Sequence, residues 1–148
     1  MTLKSLVATA VCVLATTPAF AQGVKQKKAL AEANQLISSY SDKLKENCGQ
    51  DIKASLNTAS FGNEETMKTA TWGKDTMWAL SSLCEDKDYK EAITKGVKQV
   101  VFKYDAGIKK DDHYGNKLEL KGGTLTHSYN KDSANTGSEA RDWLKANL

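Results

Sequence analysis

Proline is almost absent from this chain, and so are the short motifs that define common enzymes. Pro18 is the only proline among 148 residues, and no glycine- or serine-rich stretch divides the chain into parts. There is no Cys-x-x-Cys pair, no glycine-rich phosphate loop and no nucleophile elbow around a serine. These absences argue against a linker, a zinc or redox site and a nucleotide-binding enzyme, and we expect no cofactor.

Arginine is also scarce, which bears on nucleic-acid binding. Arg141 is the only arginine, and the lysines are interleaved with 18 acidic residues. Nucleic-acid sites commonly use arginine for bidentate contacts and concentrate positive charge in one patch. Five lysines could form a mildly positive region, although a solvated face is the simpler interpretation: Lys95, Lys98, Lys103, Lys109 and Lys110. We therefore expect no nucleic-acid partner.

The first 21 residues have the composition of a secretory signal peptide. Lys4 precedes a run of apolar and small residues from Ser5 to Thr17, and Ala19 and Ala21 occupy the −3 and −1 positions of a cleavage site. The run is short for a membrane span. We predict cleavage before Gln22, no stable membrane insertion afterwards, and a periplasmic or extracellular location in a bacterium.

The remaining residues 22–148 have a length that suits a single domain. Cys12 lies in the predicted signal peptide, which leaves Cys48 and Cys84 as an even pair in an exported protein. Disulfides are the default for such pairs in an oxidising compartment. Because both cysteines end an apolar helical stripe, we predict a Cys48–Cys84 bridge that is structural and not redox-active.

Apolar spacing predicts elements in the order α-β-α-α-β-β-β-α. Spacings of three and four predict a helix from Ala29 to Cys48, which Gly49 stops, and a second helix through Met77 and Cys84. A short third helix is predicted to begin at Asp88 and to end at a left-handed Gly96. The last helix is predicted to begin with the capping box Thr136 to Glu139. Alternation predicts strands over residues 51–60, 97–104, 116–121 and 124–130, with a Gly122-Gly123 turn between the last two. Residues 62–73 fit either a helix or a loop.

Three strands in succession favour an α+β fold. We predict an antiparallel sheet of about four strands, with helices packed on one face and lysine and threonine side chains on the open face. A parallel sheet is less favoured, because only one strand–helix–strand unit could supply a parallel pair. Apolar and aromatic residues of the central stretch, including Trp72 and Trp78, are expected to pack in the core.

The two histidines are the candidate residues for acid–base chemistry or metal binding. His127 has an inward-facing position in the hairpin, where we expect a neutral, hydrogen-bonded ring that contributes to folding; a general base is the alternative. His113 follows Asp111 and Asp112, but three adjacent residues cannot all point at one ion on a regular element, and no second ligand cluster occurs. His127 is therefore a weak candidate site, and we predict no metal site.

Three classes of function remain open. The leading one is a non-enzymatic protein that binds another envelope or secreted protein, as an inhibitor, an immunity-type partner or an accessory factor. The alternatives are a small-ligand carrier with a pocket lined by Trp72, Trp78, Tyr104 and Tyr129, and a hydrolase that uses His127. An exposed apolar patch at a sheet face or edge would favour the first, a cavity above a few hundred Å³ the second, and a serine or carboxylate bonded to His127 the third.

Overall fold

The computed structural model describes residues 18–62, 69–109 and 113–148. This part of the chain contains four helices and four strands in the predicted order. The helices are α1 (Pro18–Cys48), α2 (Gly73–Leu83), α3 (Lys87–Gly96) and α4 (Thr136–Asn147); the strands are β1 (Lys53–Leu56), β2 (Gln99–Tyr104), β3 (Asn116–Lys121) and β4 (Thr124–Tyr129). Short 3-10 turns occupy Thr58–Ser60, Ala70–Trp72 and His113–Gly115. The α+β class is confirmed.

The sheet is mixed, so the predicted antiparallel sheet is wrong. Its strand order is β1-β2-β4-β3, with β2 parallel to both β1 and β4, and with β3 antiparallel to β4. The reason lies in the strand order: β3 follows β2 in the chain but lies at the outer edge of the sheet, past the space beside β2. The hairpin then returns β4 into that space. Three strands in succession were therefore compatible with two parallel pairs.

The hairpin between β3 and β4 forms as predicted. Gly122 and Gly123 have φ values of 57° and 82°, the left-handed conformations that a two-residue turn between twisted strands requires. Lys121 lies opposite Thr124, and the register continues to Asn116 opposite Tyr129. This hairpin places β3 at one end of the sheet.

Strand register separates a buried face from a polar face. On the buried face Val100 lies beside Leu125 and Phe102 lies beside His127, and all four residues are fully buried. Helix α2 packs against both α1 and α4 over this face. The open face carries lysines and short polar side chains, as predicted: Lys53, Ser55, Lys103, Lys117, Lys121, Thr124 and Thr126.

Gly73 begins α2 because this helix lies too close to the sheet for a larger residue. A Cβ atom at Gly73 would lie 2.9 Å from Cδ2 of Phe102 and 3.0 Å from Cδ1 of Ile37. This packing outweighs the composition of residues 69–73, which disfavours a helix. The 3-10 turn Ala70–Trp72 leads directly into α2. Residues 63–68 of the ambiguous stretch lie outside the described residues.

Helix α1 begins at Pro18 and not at Ala29, so the predicted start is wrong. One reason is a long-range contact, since Nε2 of Gln26 donates a hydrogen bond to the carbonyl of the buried Phe61 at 3.2 Å. The helix ends at Cys48, and Gly49 follows with a φ of 73°, as the stop signal predicts. Residues 1–17 of the predicted signal peptide lie outside the described residues.

The cap residues of α3 differ from the predicted ones. Asp86 and not Asp88 is the N-cap, because Oδ1 of Asp86 accepts a hydrogen bond from the Asp88 N–H at 2.9 Å. Gly96 ends the helix without a left-handed conformation, and Val97 continues with extended backbone. The chain therefore enters β2 directly.

A disulfide joins the C-terminal ends of α1 and α2, which confirms the predicted pair. The Cα atoms of Cys48 and Cys84 are 5.0 Å apart, and both residues are buried. The bridge closes a loop with a sequence separation of 36 residues. In the chain-entropy description, a loop of this length stabilises the fold by on the order of 4 kcal/mol.

We expect replacement of both Cys48 and Cys84 by serine to lower the free energy of unfolding by roughly 2–4 kcal/mol, because the unfolded chain regains loop freedom. Urea titrations of the oxidised wild type and of the double variant measure the difference. Peptide mapping without reductant should find the linked pair. Equal stability of the two proteins would show that the bridge is not a structural staple.

Candidate functional site

Three buried polar side chains form a chain of hydrogen bonds between the helices and the sheet. Oγ1 of Thr76 in α2 lies 2.6 Å from Nδ1 of His127 in β4, and Nε2 of His127 lies 3.1 Å from Oδ1 of Asn116 in β3. All three residues are buried. His127 thus has the buried, hydrogen-bonded environment that its inward-facing position in the hairpin predicts, with a threonine and an asparagine as partners.

The contacts of Asn116 determine which nitrogen of His127 carries the proton. Nδ2 of Asn116 lies 2.8–3.1 Å from three backbone carbonyl oxygens, those of His113, Tyr114 and Ala134. Nδ2 is therefore a donor and Oδ1 is an acceptor. It follows that the Nε2–H of His127 donates to Asn116, and that Nδ1 accepts from the Thr76 hydroxyl. A neutral imidazole satisfies this arrangement.

Burial also sets the protonation of this region. Desolvation lowers the pKa of His127 from its ordinary value of 6.5 to about 3. The ring of Tyr129 lies edge-on to His127 with a centroid distance of 5.4 Å. Burial, with a smaller contribution from the Asp75 carboxylate, raises the pKa of Tyr129 well above its usual range. Both rings therefore stay neutral at neutral pH.

The order hydroxyl, imidazole, amide has the arrangement of a nucleophile, a base and an orienting group. Here Thr76 and His127 have no exposed surface, so a substrate cannot reach the hydroxyl while the protein is folded as described. The lowered pKa also makes His127 a weak base. In this geometry the three side chains support the fold. His127 bonds to a threonine and an asparagine, and not to the serine or carboxylate that would favour a hydrolase.

Asn116 extends this support to a loop with unusual backbone. His113, Tyr114 and Gly115 have φ values of 46°, 54° and 75°, and positive φ is uncommon for residues other than glycine. Asn116 donates to the carbonyls of His113 and Tyr114, and the hydroxyl of Ser133 donates to the Gly115 carbonyl at 2.6 Å. The surrounding hydrogen bonds therefore hold three left-handed residues in succession.

A groove with a volume of about 970 Å³ lies beside this loop, between α4 and the edge strand β3. Its apolar surface includes Ile108, Leu118, Trp143 and Ala146. Nδ2 of Asn130 donates to the Ile108 carbonyl at 2.6 Å and so fixes the far side of the loop. Hydrogen bonds therefore fix two parts of the groove wall, the Ile108 backbone and the loop at His113.

The charges around the groove are mostly negative. Among the described residues, three carboxylates line it, Asp105, Glu139 and Asp142, together with Lys117, whose side chain leaves β3 on the opposite, open face. Nδ1 of the exposed His113 lies 3.6 Å from Oε2 of Glu139. The three acids and Lys117 sum to a formal charge of −2, and Lys103 and Arg141 lie 3.6 Å and 3.9 Å from Asp105 and Asp142. The arrangement can bind a cation and bury an apolar group beside it.

The start of α4 is fixed by a contact that replaces the predicted capping box. The hydroxyl of Thr136 donates to Oδ2 of Asp75 in α2 at 2.8 Å, and Asn135 is the N-cap residue with a φ of 53°. A Cβ atom at Gly137 would lie 3.4 Å from Cβ of Asp75. The predicted cap is wrong because Thr136 bonds to another helix. This contact orients the α4 face that lines the groove.

The aromatic residues proposed for a carrier pocket do not line this groove. Tyr129 is fully buried in the core and stacks edge-on against Trp72 at 5.7 Å. Trp72 and Trp78 border a shallower depression of about 390 Å³ next to residues 133–138. Trp78 is 48% exposed, so its predicted place in the core is wrong. Tyr104 packs against Phe61 with a ring distance of 6.4 Å.

The groove carries a sequence signal that apolar spacing alone does not detect. Five α4 residues line it at spacings of three and four: Glu139, Asp142, Trp143, Ala146 and Asn147. This is one helix face that combines acids with a tryptophan. The partners of this face are β3, Asp105, Gly107, Ile108 and His113. They come from a distant part of the chain, and no sequence pattern connects them to this face.

No cluster of three histidine, cysteine or acidic side chains suited to a metal occurs within residues 18–62, 69–109 and 113–148. Asp111 and Asp112, the neighbours of His113, lie outside these ranges. In the same ranges no helix combines the length and the hydropathy needed to cross a bilayer.

Comparison with known proteins finds no match for the chain among protein-family models, curated proteins or solved structures. The site is therefore interpreted from its own geometry.

We expect the buried His127 to make the protein less stable in mild acid. The folded protein takes up this proton only near pH 3, whereas an unfolded histidine takes it up near pH 6.5. Because the unfolded state binds more protons between these values, the free energy of unfolding decreases as the pH falls. The decrease attributable to His127 between pH 7 and pH 4.5 is roughly 2–3 kcal/mol.

The variant His127→Gln is the control for this prediction. It should be less stable than the wild type by about 1–2 kcal/mol at pH 7, because two hydrogen bonds are disturbed. Its stability should fall less steeply in acid, so that by pH 4.5 the variant is as stable as the wild type or more stable. Urea titrations at several pH values measure this. Parallel curves for the two proteins would contradict a buried, neutral His127.

Proposed function

We propose that this protein is an exported, non-enzymatic binding protein, and that the groove between α4 and β3 holds a positively charged segment of another envelope or secreted protein. The observation that supports this most directly is the apolar groove with a mostly acidic lining. Trp143 and Leu118 offer apolar contact area, while Glu139 and Asp142 project from the same helix face. An aromatic anchor with charges around it is the usual composition of a protein interface.

The charges of this groove contribute more to its selectivity than to its affinity. Each exposed ion pair contributes little on its own, and Asp142 already lies 3.9 Å from the neighbouring Arg141. The negative field of several carboxylates nevertheless attracts a basic partner and repels an acidic one. Affinity would come mainly from contact with Trp143, with its half-buried ring.

A carrier of small organic cations is the second candidate function. The volume of about 970 Å³ lies within the range of small-ligand sites. A tryptophan beside carboxylates also suits an ammonium group. We prefer a protein segment because the groove follows an edge strand of the sheet and so offers a continuous backbone beside it.

Export is the other part of the proposal. The Cys48–Cys84 disulfide is consistent with an oxidising compartment, and the composition of residues 1–21 is that of a signal peptide. We expect the exported protein to begin at Gln22, because Ala19 and Ala21 suit signal peptidase. Intact-mass measurement of secreted or periplasmic material checks this. A retained N-terminus, or a lipid mass on Cys12, would contradict it.

We expect Trp143→Ala to weaken partner binding by roughly tenfold or more, because an interface anchor is lost. Asp142→Lys should weaken it by about three- to tenfold at low salt, because the field of the groove changes sign locally. The partner is first captured from envelope extract on immobilised wild-type protein. Its affinity for each variant is then measured by biolayer interferometry at two salt concentrations.

Two matched variants control for the loss of a tryptophan and for the reversal of a charge. Trp78→Ala removes an exposed tryptophan outside the groove. Asp51→Lys reverses an exposed charge next to β1, at the opposite edge of the sheet. Both should bind like the wild type. Equal losses in all four variants would contradict binding in the groove, and a hydrolytic activity that His127→Gln abolishes would contradict a non-enzymatic function.

A further inference from the structure

Strand β3 ends the sheet, and within the described part of the chain no other strand pairs with its outer side. We propose that the bound segment adds to β3 as an extended fifth strand, with alternate side chains in the groove. This inference rests on the function proposed above and specifies its partner: an extended segment whose alternate residues are basic or apolar and face the groove.

The hairpin register shows which β3 backbone groups are available. In a two-residue hairpin the residues that flank the turn, Lys121 and Thr124, exchange hydrogen bonds. Pairs then alternate, so Glu119 and Lys117 also bond to β4. The N–H and C=O groups of Leu118 and Leu120 therefore point away from β4.

A contact on the other side of β4 supports this alternation of hydrogen-bonded pairs. The Asp105 N–H donates to the carbonyl of Tyr129 at 3.0 Å, so that carbonyl points towards β2 and not towards Asn116 opposite it in β3. Tyr129 and Asn116 are thus a pair without mutual hydrogen bonds, as the alternation from Lys121 requires. Among the described residues, no hydrogen bond reaches the outward groups of Leu118 and Leu120.

The same alternation distributes the side chains of an added strand. Residues beside Leu118 and Leu120 would project to the helix side, towards Trp143 and the carboxylates of Glu139 and Asp142. The intervening residues would lie on the open face beside Lys117, Glu119 and Lys121, whose formal charges sum to +1, so a lysine gains no net attraction there. The groove therefore favours lysine or arginine on one face of the segment and neutral residues on the other.

Two lysines at the edge disfavour pairing between copies of this protein. Lys117 and Lys121 both project from the open face of β3, and edge lysines commonly disfavour self-association of strands. A heterologous segment with neutral residues on that face meets no such repulsion. Strand addition of this kind draws affinity from main-chain hydrogen bonds and specificity from alternate side chains.

A designed heptapeptide, Ac-Thr-Lys-Thr-Leu-Thr-Lys-Thr-NH2, tests the inference with the oxidised mature protein. Its lysines and leucine share one face. Binding is measured by calorimetry and by residue-resolved amide exchange. We expect the amides of Leu118 and Leu120 to exchange about tenfold more slowly with peptide bound, while those of Lys117 and Glu119, already bonded to β4, change little.

Backbone methylation of the peptide distinguishes strand addition from side-chain docking. Only alternate peptide N–H groups would face β3, so N-methylation of one alternate set should weaken binding about tenfold or more, and methylation of the other set should change it less than about threefold. An isomer with its lysines moved by one position, onto the face of Lys117 and Lys121, should bind more weakly. Asp142→Lys should weaken the original peptide, and Asp51→Lys should not.

Two results would overturn strand addition but leave the groove as a binding site. One is an equal loss of affinity for the two sets of methylated peptides. The other is unchanged amide exchange at Leu118 and Leu120 in a complex that Asp142→Lys weakens. No binding at about 1 mM peptide would overturn the inference as well. The proposed function has its own test, since loss of the natural partner in Trp143→Ala and Asp142→Lys does not depend on the peptide.

Discussion

The hydrogen-bonded chain from Thr76 through His127 to Asn116 is the interaction on which the described structure depends most. It joins a helix, the two strands of the hairpin and the backbone of residues 113–115 through buried polar groups. A buried donor or acceptor left without a partner costs about 1–3 kcal/mol. Removing any one of the three side chains therefore affects both the packing of α2 on the sheet and the loop beside the groove.

That loop connects the buried His127 to the groove. Asn116 holds the carbonyls of His113 and Tyr114, and His113 lines the groove next to Glu139. The bond from Thr136 to Asp75 places the first turn of α4 independently. Because the walls are held before any ligand arrives, binding would require little ordering of this part of the protein, which favours affinity.

Local patterns predicted much of the fold because they reflect contacts between residues close in sequence. The Gly122-Gly123 turn, the stop at Gly49 and the element order agree with the structure. The sheet topology did not follow from such patterns, since they do not determine whether β3 lies beside β2 or beyond β4 at the edge of the sheet. Trp78 illustrates the same limit: an apolar stripe indicates a buried face but not how far around the helix the burial extends.

The sequence by itself determined which two cysteines pair, where the hairpin turns and that His127 faces inward, because each follows from residue type and short-range periodicity. Only the tertiary structure decided that Thr76, 51 positions away, is the partner of His127, that the sheet is mixed, and that α4 and β3 enclose an acidic groove. Such pairings depend on which distant elements pack together, and the free energy of that packing belongs to the whole chain and not to any local segment.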